Sequence, residues 1–172
     1  MNKVLVVVDM QNDFIDQALG SQEAQMIVDH VANKIATFSG AIFVTLDTHF
    51  DNYLETQEGQ NLPVPHCIKD SEGWQLNSKI KQALSNKKYE VVEKYTFGSC
   101  ELPQLIGKIK DLESIEIVGL CSDICVVSNA MLLKAHFPEI KISVDSKGCA
   151  GVSVESHEAA LLTMKMCQIE IK

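Results

Sequence analysis

Apolar residues occur in six short runs along the chain, and stretches with helical spacing separate these runs. The runs are rich in Val and Ile and are continuous rather than alternating, which is typical of strands that are covered on both faces. They predict strands at residues 3–9, 41–47, 89–94, 114–119, 141–145 and 168–172. Apolar residues spaced three and four apart predict helices at residues 22–38, 77–84, 102–109, 123–135 and 156–166.

Strands that alternate with helices indicate an α/β protein with a parallel sheet. The length of 172 residues fits one domain, and we expect residues 1–172 to form it, since no repeat or linker interrupts the chain. The segment 48–74 is the one long stretch without a clear period. A loop of that length in a compact domain usually carries function.

The charge of the chain limits the classes of partner. The formal net charge is −8, which argues against a nucleic-acid or anionic-membrane partner because both need clustered Lys and Arg. The first apolar run is far shorter than a membrane span, and no signal peptide is visible. With six Cys in such a chain, we expect a cytoplasmic protein whose thiols are free.

Reactive side chains follow four of the predicted strands. Asp9, Asp47 and Lys94 end the first three, and Cys125 follows the fourth at the start of a helix. Each alone has an ordinary structural explanation as a cap, a solvated charge or a core residue. Because ligands of open parallel sheets bind at the carboxyl ends of the strands, we expect all four to meet there. The helix dipole and Lys94 would lower the pKa of the Cys125 thiol, and a carboxylate would take its proton.

A second group of side chains has the composition of a metal site. Asp47 and His49 are two residues apart on an extended segment and can point the same way, and His66 lies near the far end of the long loop. Glu58, on the same loop, is a candidate fourth ligand. One carboxylate with two imidazoles suits Zn, Fe or Mn. Ordinary loop histidines are the alternative.

Four motifs together resemble those of a known family. They are Val-Asp-Met-Gln-Asn-Asp-Phe at 8–14, Glu-Lys-Tyr-Thr-Phe-Gly-Ser at 93–99, Gly-Leu-Cys-Ser-Asp-Ile-Cys-Val at 119–126, and Asp-Thr-His at 47–49 with Pro-His-Cys at 65–67. In this order they resemble the motifs of the isochorismatase-like cysteine hydrolases, and within them of the nicotinamidase (pyrazinamidase) branch. The similarity extends over nearly the whole chain.

The resemblance implies a three-layer α/β/α fold with a six-stranded parallel sheet. It also implies a catalytic trio, in which Cys125 is the nucleophile, Asp9 the base and Lys94 the cation that holds both. It further implies a cis peptide bond between Leu120 and Cys121, and an oxyanion hole formed by the backbone N–H groups of Cys121 and Cys125.

The same resemblance implies a ligand set and a substrate. One divalent metal, zinc before iron or manganese, would be held by Asp47, His49 and His66, with Glu58 as a fourth candidate. The substrate would be a small amide such as nicotinamide, with Phe14 as one wall of its pocket. The family often forms dimers or larger assemblies, so the resemblance also implies a homo-oligomer.

The sequence departs from the nicotinamidases in the long loop. Thr48 stands where they usually carry Trp, and Pro63-Val64-Pro65 lacks the aromatic residue often found before the second metal-binding His. Another small amide, such as a carbamoyl or ureido compound, is therefore an alternative substrate. A non-catalytic metal-binding or scaffold protein is a second alternative, and a thiol redox protein that uses Cys121 and Cys125 is a third.

Overall fold

The structure is a computed structural model that describes residues 2–172, and its centre is a six-stranded parallel sheet. The order of the strands across the sheet is β3-β2-β1-β4-β5-β6. The strands are β1 (Lys3–Val8), β2 (Ala41–Asp47), β3 (Tyr89–Lys94), β4 (Ser114–Leu120), β5 (Lys141–Ala150) and β6 (Glu170–Ile171). The predicted α/β class and the six parallel strands are confirmed.

Within residues 2–172, seven α-helices connect or follow the strands. They are α1 (Asn12–Ile15), α2 (Gln22–Thr37), α3 (Gln57–Asn61), α4 (Ser78–Leu84), α5 (Glu101–Ile106), α6 (Val127–His136) and α7 (Val154–Met166). In the described part of the chain, no helix is long and apolar enough to cross a membrane.

The helices cover both faces of the sheet, which explains the continuous apolar runs. In β1, Leu5 and Val7 pack into the cluster that contains residues of α1, α2 and α4, whereas Val4, Val6 and Val8 pack into the cluster that contains residues of α5, α6 and α7. Every second side chain therefore enters one of two hydrophobic cores. Both cores need apolar residues, so the sequence of the strand shows no polar alternation.

The predicted element bounds differ from the structure where apolar periodicity is weak. β5 continues to Ala150, past the predicted end at residue 145. The prediction stopped short because the polar residues Ser146 and Lys147 interrupt the apolar run before the buried last three residues of the strand. β6 is only two residues long. The segment 48–74 contains a 3₁₀ turn at Tyr53–Glu55 followed by α3, and both are too short to show a helical period in the sequence.

The sheet reverses its strand order at β1, which lies between β2 and β4. Such a reversal opens a crevice at the carboxyl ends of two adjacent strands, here β1 and β4, whose connections lead to opposite edges of the sheet. β1 and β4 approach closely here, since Val8 pairs with Gly119. Gly119 has φ +121°, and a Cβ at this position would lie 2.0 Å from the Val8 carbonyl oxygen. Only glycine fits this contact.

Replacing Gly119 tests this close approach. We expect Gly119→Ala to lower the free energy of unfolding by about 2 kcal/mol or more, because the side chain both clashes with β1 and disfavours the backbone conformation. Urea unfolding measures the change. Gly107→Ala is the control, since its Cβ would meet nothing nearer than the Pro103 carbonyl oxygen at 3.2 Å. Equal stability of the two variants would contradict the close approach.

Candidate active site

A buried ammonium group lies at the carboxyl edge of the sheet. Lys94, the last residue of β3, places its Nζ atom 2.7 Å from Asp9 Oδ2 and 2.9 Å from Asp47 Oδ1. The same atom lies 3.4 Å from the Sγ atom of Cys125. The structure therefore brings together the four side chains that the sequence placed at this edge, and each is nearly inaccessible to solvent.

The backbone of Asp9 turns its carboxylate into the sheet edge. Asp9 follows β1 with φ 48°, a left-handed conformation that Asp adopts more readily than most residues. Its Oδ1 atom accepts a hydrogen bond of 2.6 Å from the hydroxyl of Thr45 on β2. Its Oδ2 atom forms the ion pair with Lys94. Among the described residues, this oxygen is the one buried side-chain polar atom that accepts no well-aligned hydrogen bond.

Cys125 lies in a tight turn between β4 and α6. The turn, Ser122–Val126, is π-helical, a geometry often found at functional sites, so the helix predicted from residue 123 becomes regular only at Val127. The peptide bond between Leu120 and Cys121 is cis, as expected.

The amide of Asn129 ties the Cys125 turn to the loop after β3. Its Nδ2 atom donates to the carbonyl oxygens of Cys125 (2.8 Å) and Phe97 (3.2 Å). Its Oδ1 atom accepts from the N–H of Ser99 at 2.9 Å. The side chain is fully buried, so these bonds hold the Cys125 turn against the segment that follows Lys94.

The expected low pKa of the Cys125 thiol is wrong. Burial raises its pKa well above the usual value, and the negative charge of Asp9 raises it further, while Lys94 opposes both. Burial likewise raises the pKa of the Asp9 carboxyl, against the influence of Lys94. The charge of Lys94 does favour the thiolate, but the loss of water on burial has the larger effect on the pKa. The resting site therefore holds a protonated thiol beside a carboxyl of raised proton affinity.

The remaining carboxylate of the site stays charged. Burial acts against ionisation of Asp47, but hydrogen bonds with His49 and His66 and the charge of Lys94 outweigh it and lower its pKa. Burial acts against protonation of Lys94, but its contacts with Asp9, Cys125 and Asp47 outweigh burial and raise its pKa. Lys94 and Asp47 thus form a permanent buried ion pair.

A cluster of the predicted metal ligands lies on the side of Asp47 that faces away from Lys94. It contains Asp47, His49, Glu58 and His66, with one ligand atom of each within 4.8 Å of the others. His49 Nε2 lies 3.0 Å from Asp47 Oδ2 and 3.5 Å from Glu58 Oε1. His66 Nε2 lies 3.6 and 3.7 Å from the same two oxygens. Tetrahedral zinc with bonds of about 2.1 Å separates its ligands by about 3.4 Å, so this donor set fits zinc.

Two contacts position His66 within this cluster. Its Nδ1 atom lies 2.8 Å from the carbonyl oxygen of Val64, which leaves Nε2 as the free ligand atom. The next residue, Cys67, donates its backbone N–H to Asp13 Oδ2 at 2.7 Å. Gly73 makes room for this carboxylate, because a Cβ there would lie 2.1 Å from the same oxygen.

A cavity of about 310 Å³ connects the thiol with the ligand cluster. Cys125 and His66 both line it, and its other walls are mostly apolar, including Phe14, Phe97 and Leu62. The volume is at the lower end of the range for small-molecule sites, about 300–1,000 Å³. Phe14 lines this cavity, and its ring is in an edge contact with that of His66, with the ring centroids 5.5 Å apart.

Sequence reasoning missed four residues of this site, namely Asp13, Thr45, Phe97 and Asn129. Thr45 precedes Asp47 by two residues and therefore points to the same face of β2, and Asn129 follows Cys125 by one helical turn. Those spacings were a usable signal. Thr48, which stands where nicotinamidases usually carry Trp, is buried and does not line the cavity. Its hydroxyl accepts a hydrogen bond of 2.9 Å from Trp74 Nε1.

The fold and the site together define an α/β protein with a buried cysteine, aspartate and lysine at the switch point of a parallel sheet. The profile of the isochorismatase domain family matches residues 3–171. The chain belongs to the isochorismatase family.

Several known proteins are similar to this chain over most of its length. A nicotinamidase of Escherichia coli (strain K12) is 28% identical over 195 residues, which covers 95% of this chain and 90% of that protein. An uncharacterized isochorismatase family protein of Bacillus subtilis (strain 168) is 27% identical over 173 residues, covering 94% and 93%. Among solved structures, pyrazinamidase of Pyrococcus horikoshii in complex with zinc has a TM-score of 0.86 at 24% identity, covering 100% and 99%.

Proposed function

We propose that this protein is a cysteine amidohydrolase that hydrolyses nicotinamide to nicotinate and ammonia. The observation that carries the proposal is the contact of Lys94 with both Asp9 and Cys125, beside a mostly apolar cavity that Cys125 and the candidate metal ligand His66 both line. The similarity to a nicotinamidase supports the choice of substrate. A substrate held at the ligand cluster would present its amide to the thiol.

The proposed reaction begins with transfer of the thiol proton of Cys125 to Asp9. The thiolate attacks the amide carbonyl carbon, and the backbone N–H groups of Cys121 and Cys125 hold the oxyanion. The C–N bond then breaks, the proton on Asp9 passes to the leaving nitrogen, and ammonia departs. Asp9 next accepts a proton from water, which attacks the thioester carbon; the C–S bond breaks, the acid is released, and the proton on Asp9 returns to the sulfur of Cys125. Lys94 compensates the negative charge throughout.

The raised thiol pKa fits this order of events. A buried thiol beside a carboxylate is unreactive until a substrate is present to accept the sulfur electrons, which protects the nucleophile from oxidation. Cys121 is a poor partner for redox chemistry, because burial and the charge of Asp123 raise the pKa of its thiol to about 12. A thiol redox function therefore has no support.

We further propose that Asp47, His49, His66 and Glu58 hold one zinc ion. The ligand types and spacing support it, as does the zinc bound to the Pyrococcus horikoshii pyrazinamidase. When bound, the metal supplies a Lewis-acidic position that anchors the ring nitrogen of the substrate. The chain itself shapes the rest of the site, since Phe14 and Phe97 enclose the ring and exclude water.

The domain organisation of the chain, its compartment and its class of partner are also proposals. We infer a single domain, which the family match over residues 3–171 supports. All six cysteines are free thiols, which supports a reducing compartment such as the cytoplasm. The acidic net charge supports a small-molecule partner rather than nucleic acid or an anionic membrane.

Loss of the nucleophile tests the proposed reaction. Zinc-loaded protein should release ammonia from nicotinamide, and Cys125→Ala should slow the release about a thousandfold or more, because no thioester can form. Cys149→Ala is the matched control, as Cys149 is a buried thiol on β5 outside the active-site cavity. A coupled ammonia assay measures both.

Three outcomes separate the alternatives. Normal ammonia release by Cys125→Ala rules out the nucleophile. Turnover of a carbamoyl or ureido compound, with none of nicotinamide, identifies the other amide substrates. No turnover of any amide in zinc-loaded protein favours a non-catalytic metal-binding or scaffold protein.

The affinity for zinc should depend on pH through His49. Burial opposes protonation of this ring, but hydrogen bonds to Asp47 and Glu58 raise its pKa to about 9. Zinc must displace this proton, so its affinity should rise about tenfold per pH unit between pH 6.5 and 9 and then level off. Competition with a chromophoric chelator measures it. His49→Ala should bind zinc weakly and lose this slope, whereas His136→Ala, an exposed control, should match the wild type. A flat wild-type profile would contradict the ligand role of His49.

We also propose that the protein is a homo-oligomer. The exposed apolar side chains of Met26, Val152 and Val154 lie near the start of α7, and two of them line a surface cavity of about 210 Å³. Contacts with another copy would cover them. Light scattering coupled to size exclusion should show a mass above 19.0 kDa, and a single species at 19.0 kDa would refute the proposal.

A further inference from the structure

Thr45 is a buried hydroxyl that none of the proposed steps uses. It lies on β2 directly beside the end of β1, since Val8 pairs with Thr45 and Asp9 follows Val8. Its side chain donates to Asp9 Oδ1 at 2.6 Å. The backbone N–H of Asp9 in turn lies 3.3 Å from the Thr45 hydroxyl oxygen and 3.3 Å from its carbonyl oxygen. Thr45 therefore contacts both the backbone and the carboxylate of the proposed base.

The two oxygens of Asp9 have different surroundings. A threonine hydroxyl has one hydrogen to donate, and here it is directed at Oδ1. Oδ2 lies 2.7 Å from Lys94 Nζ and accepts no well-aligned hydrogen bond. The titratable and charged groups that face this carboxyl are Lys94 from β3, the Cys125 thiol from the turn after β4, and Asp47 from β2 on the far side of Lys94. Thr45 is the hydroxyl donor to this carboxyl.

We propose that Thr45 is a positioning residue that occupies Oδ1 of Asp9 and so reserves Oδ2 for the proton exchanged with Cys125. This inference rests on the proposed amide hydrolysis. In the first step the S–H bond breaks, the electron pair stays on sulfur, and an O–H bond forms at Oδ2. Later this O–H bond breaks as the proton passes to the amide nitrogen, which leaves with the electrons of the C–N bond.

The hydroxyl has two separable effects on this exchange. It holds the carboxylate plane so that Oδ2 stays beside Lys94 and the thiol, which is an effect on geometry. It also donates to the ionised form of Asp9, which favours that form and opposes the rise in pKa caused by burial. Loss of the hydroxyl should therefore slow the chemical step and move the acidic limb of the pH profile to higher pH.

Two substitutions separate the hydroxyl from the rest of the side chain. Thr45→Val keeps the shape but removes the donor, and Thr45→Ser keeps the donor. We expect Thr45→Val to lower kcat for nicotinamide about 10- to 100-fold with little change in KM, because proton transfer and not binding is impaired. Thr45→Ser should retain most of the wild-type kcat. Thr163→Val, which removes an exposed hydroxyl of α7 bonded to Ala159, is the control and should match the wild type.

A second readout needs no amide substrate. The rate at which iodoacetamide alkylates Cys125, followed by peptide mass, depends on the proton shared between this thiol and Asp9. The acidic midpoint of this rate should lie at higher pH in Thr45→Val than in the wild type, and it should be unchanged in Thr45→Ser. If the wild type hydrolyses no amide, the proposed function fails, yet the alkylation profiles still test the role of Thr45.

The outcomes are distinct. A Thr45→Val protein with wild-type kcat and an unshifted midpoint overturns the proposal, as does a Thr45→Ser protein with the same defect as Thr45→Val. Urea unfolding of each variant shows whether it is folded. If Thr45→Val does not fold, Thr45→Ala lacks the same donor, imposes no extra volume and replaces it in both assays.

Discussion

The Lys94 ammonium group connects the parts of this protein that matter for its chemistry. It is buried and lies within 3.4 Å of side chains from three other segments, namely Asp9 after β1, Asp47 at the end of β2, and Cys125 in the turn after β4. A buried cation without partners is costly, and so are two buried carboxylates without a cation. The strand order β3-β2-β1-β4 brings these groups to one edge, and their mutual compensation makes the arrangement stable.

Asp47 divides its two oxygens between two sites. Oδ1 contacts Lys94, and Oδ2 contacts His49 and His66. A cation bound by the histidines would therefore share this carboxylate with the ammonium group, and the electrostatic state of each site depends on the other. The ligand cluster and the contact between Lys94 and Cys125 are therefore linked through one carboxylate.

Much of this architecture follows from the sequence, because buried strands and their reactive last residues leave a clear pattern. Asp9, Asp47, Lys94 and Cys125 could be placed at one edge without coordinates, since parallel strands all end there. The hydrogen bonds of Thr45 and Asn129 could not, because they depend on register and on turn geometry. The direction of the thiol pKa was predicted wrongly for a similar reason. Burial dominates it, and no count of nearby charges in a sequence measures burial.

The position of β1 has a consequence for synthesis. Of the strands of this sheet, β1 leaves the ribosome first, and it lies in the middle of the sheet, where it pairs with β2 on one side and with β4 on the other. β1, β2 and β3 can associate early, and by then Asp9, which follows β1, and Asp47 and Lys94, which end β2 and β3, are all present. The edge of β1 that pairs with β4 stays without a partner until β4 has been made. Cys125 therefore joins Lys94 and Asp9 late, and a chain released before β4 is made carries these charges without the thiol.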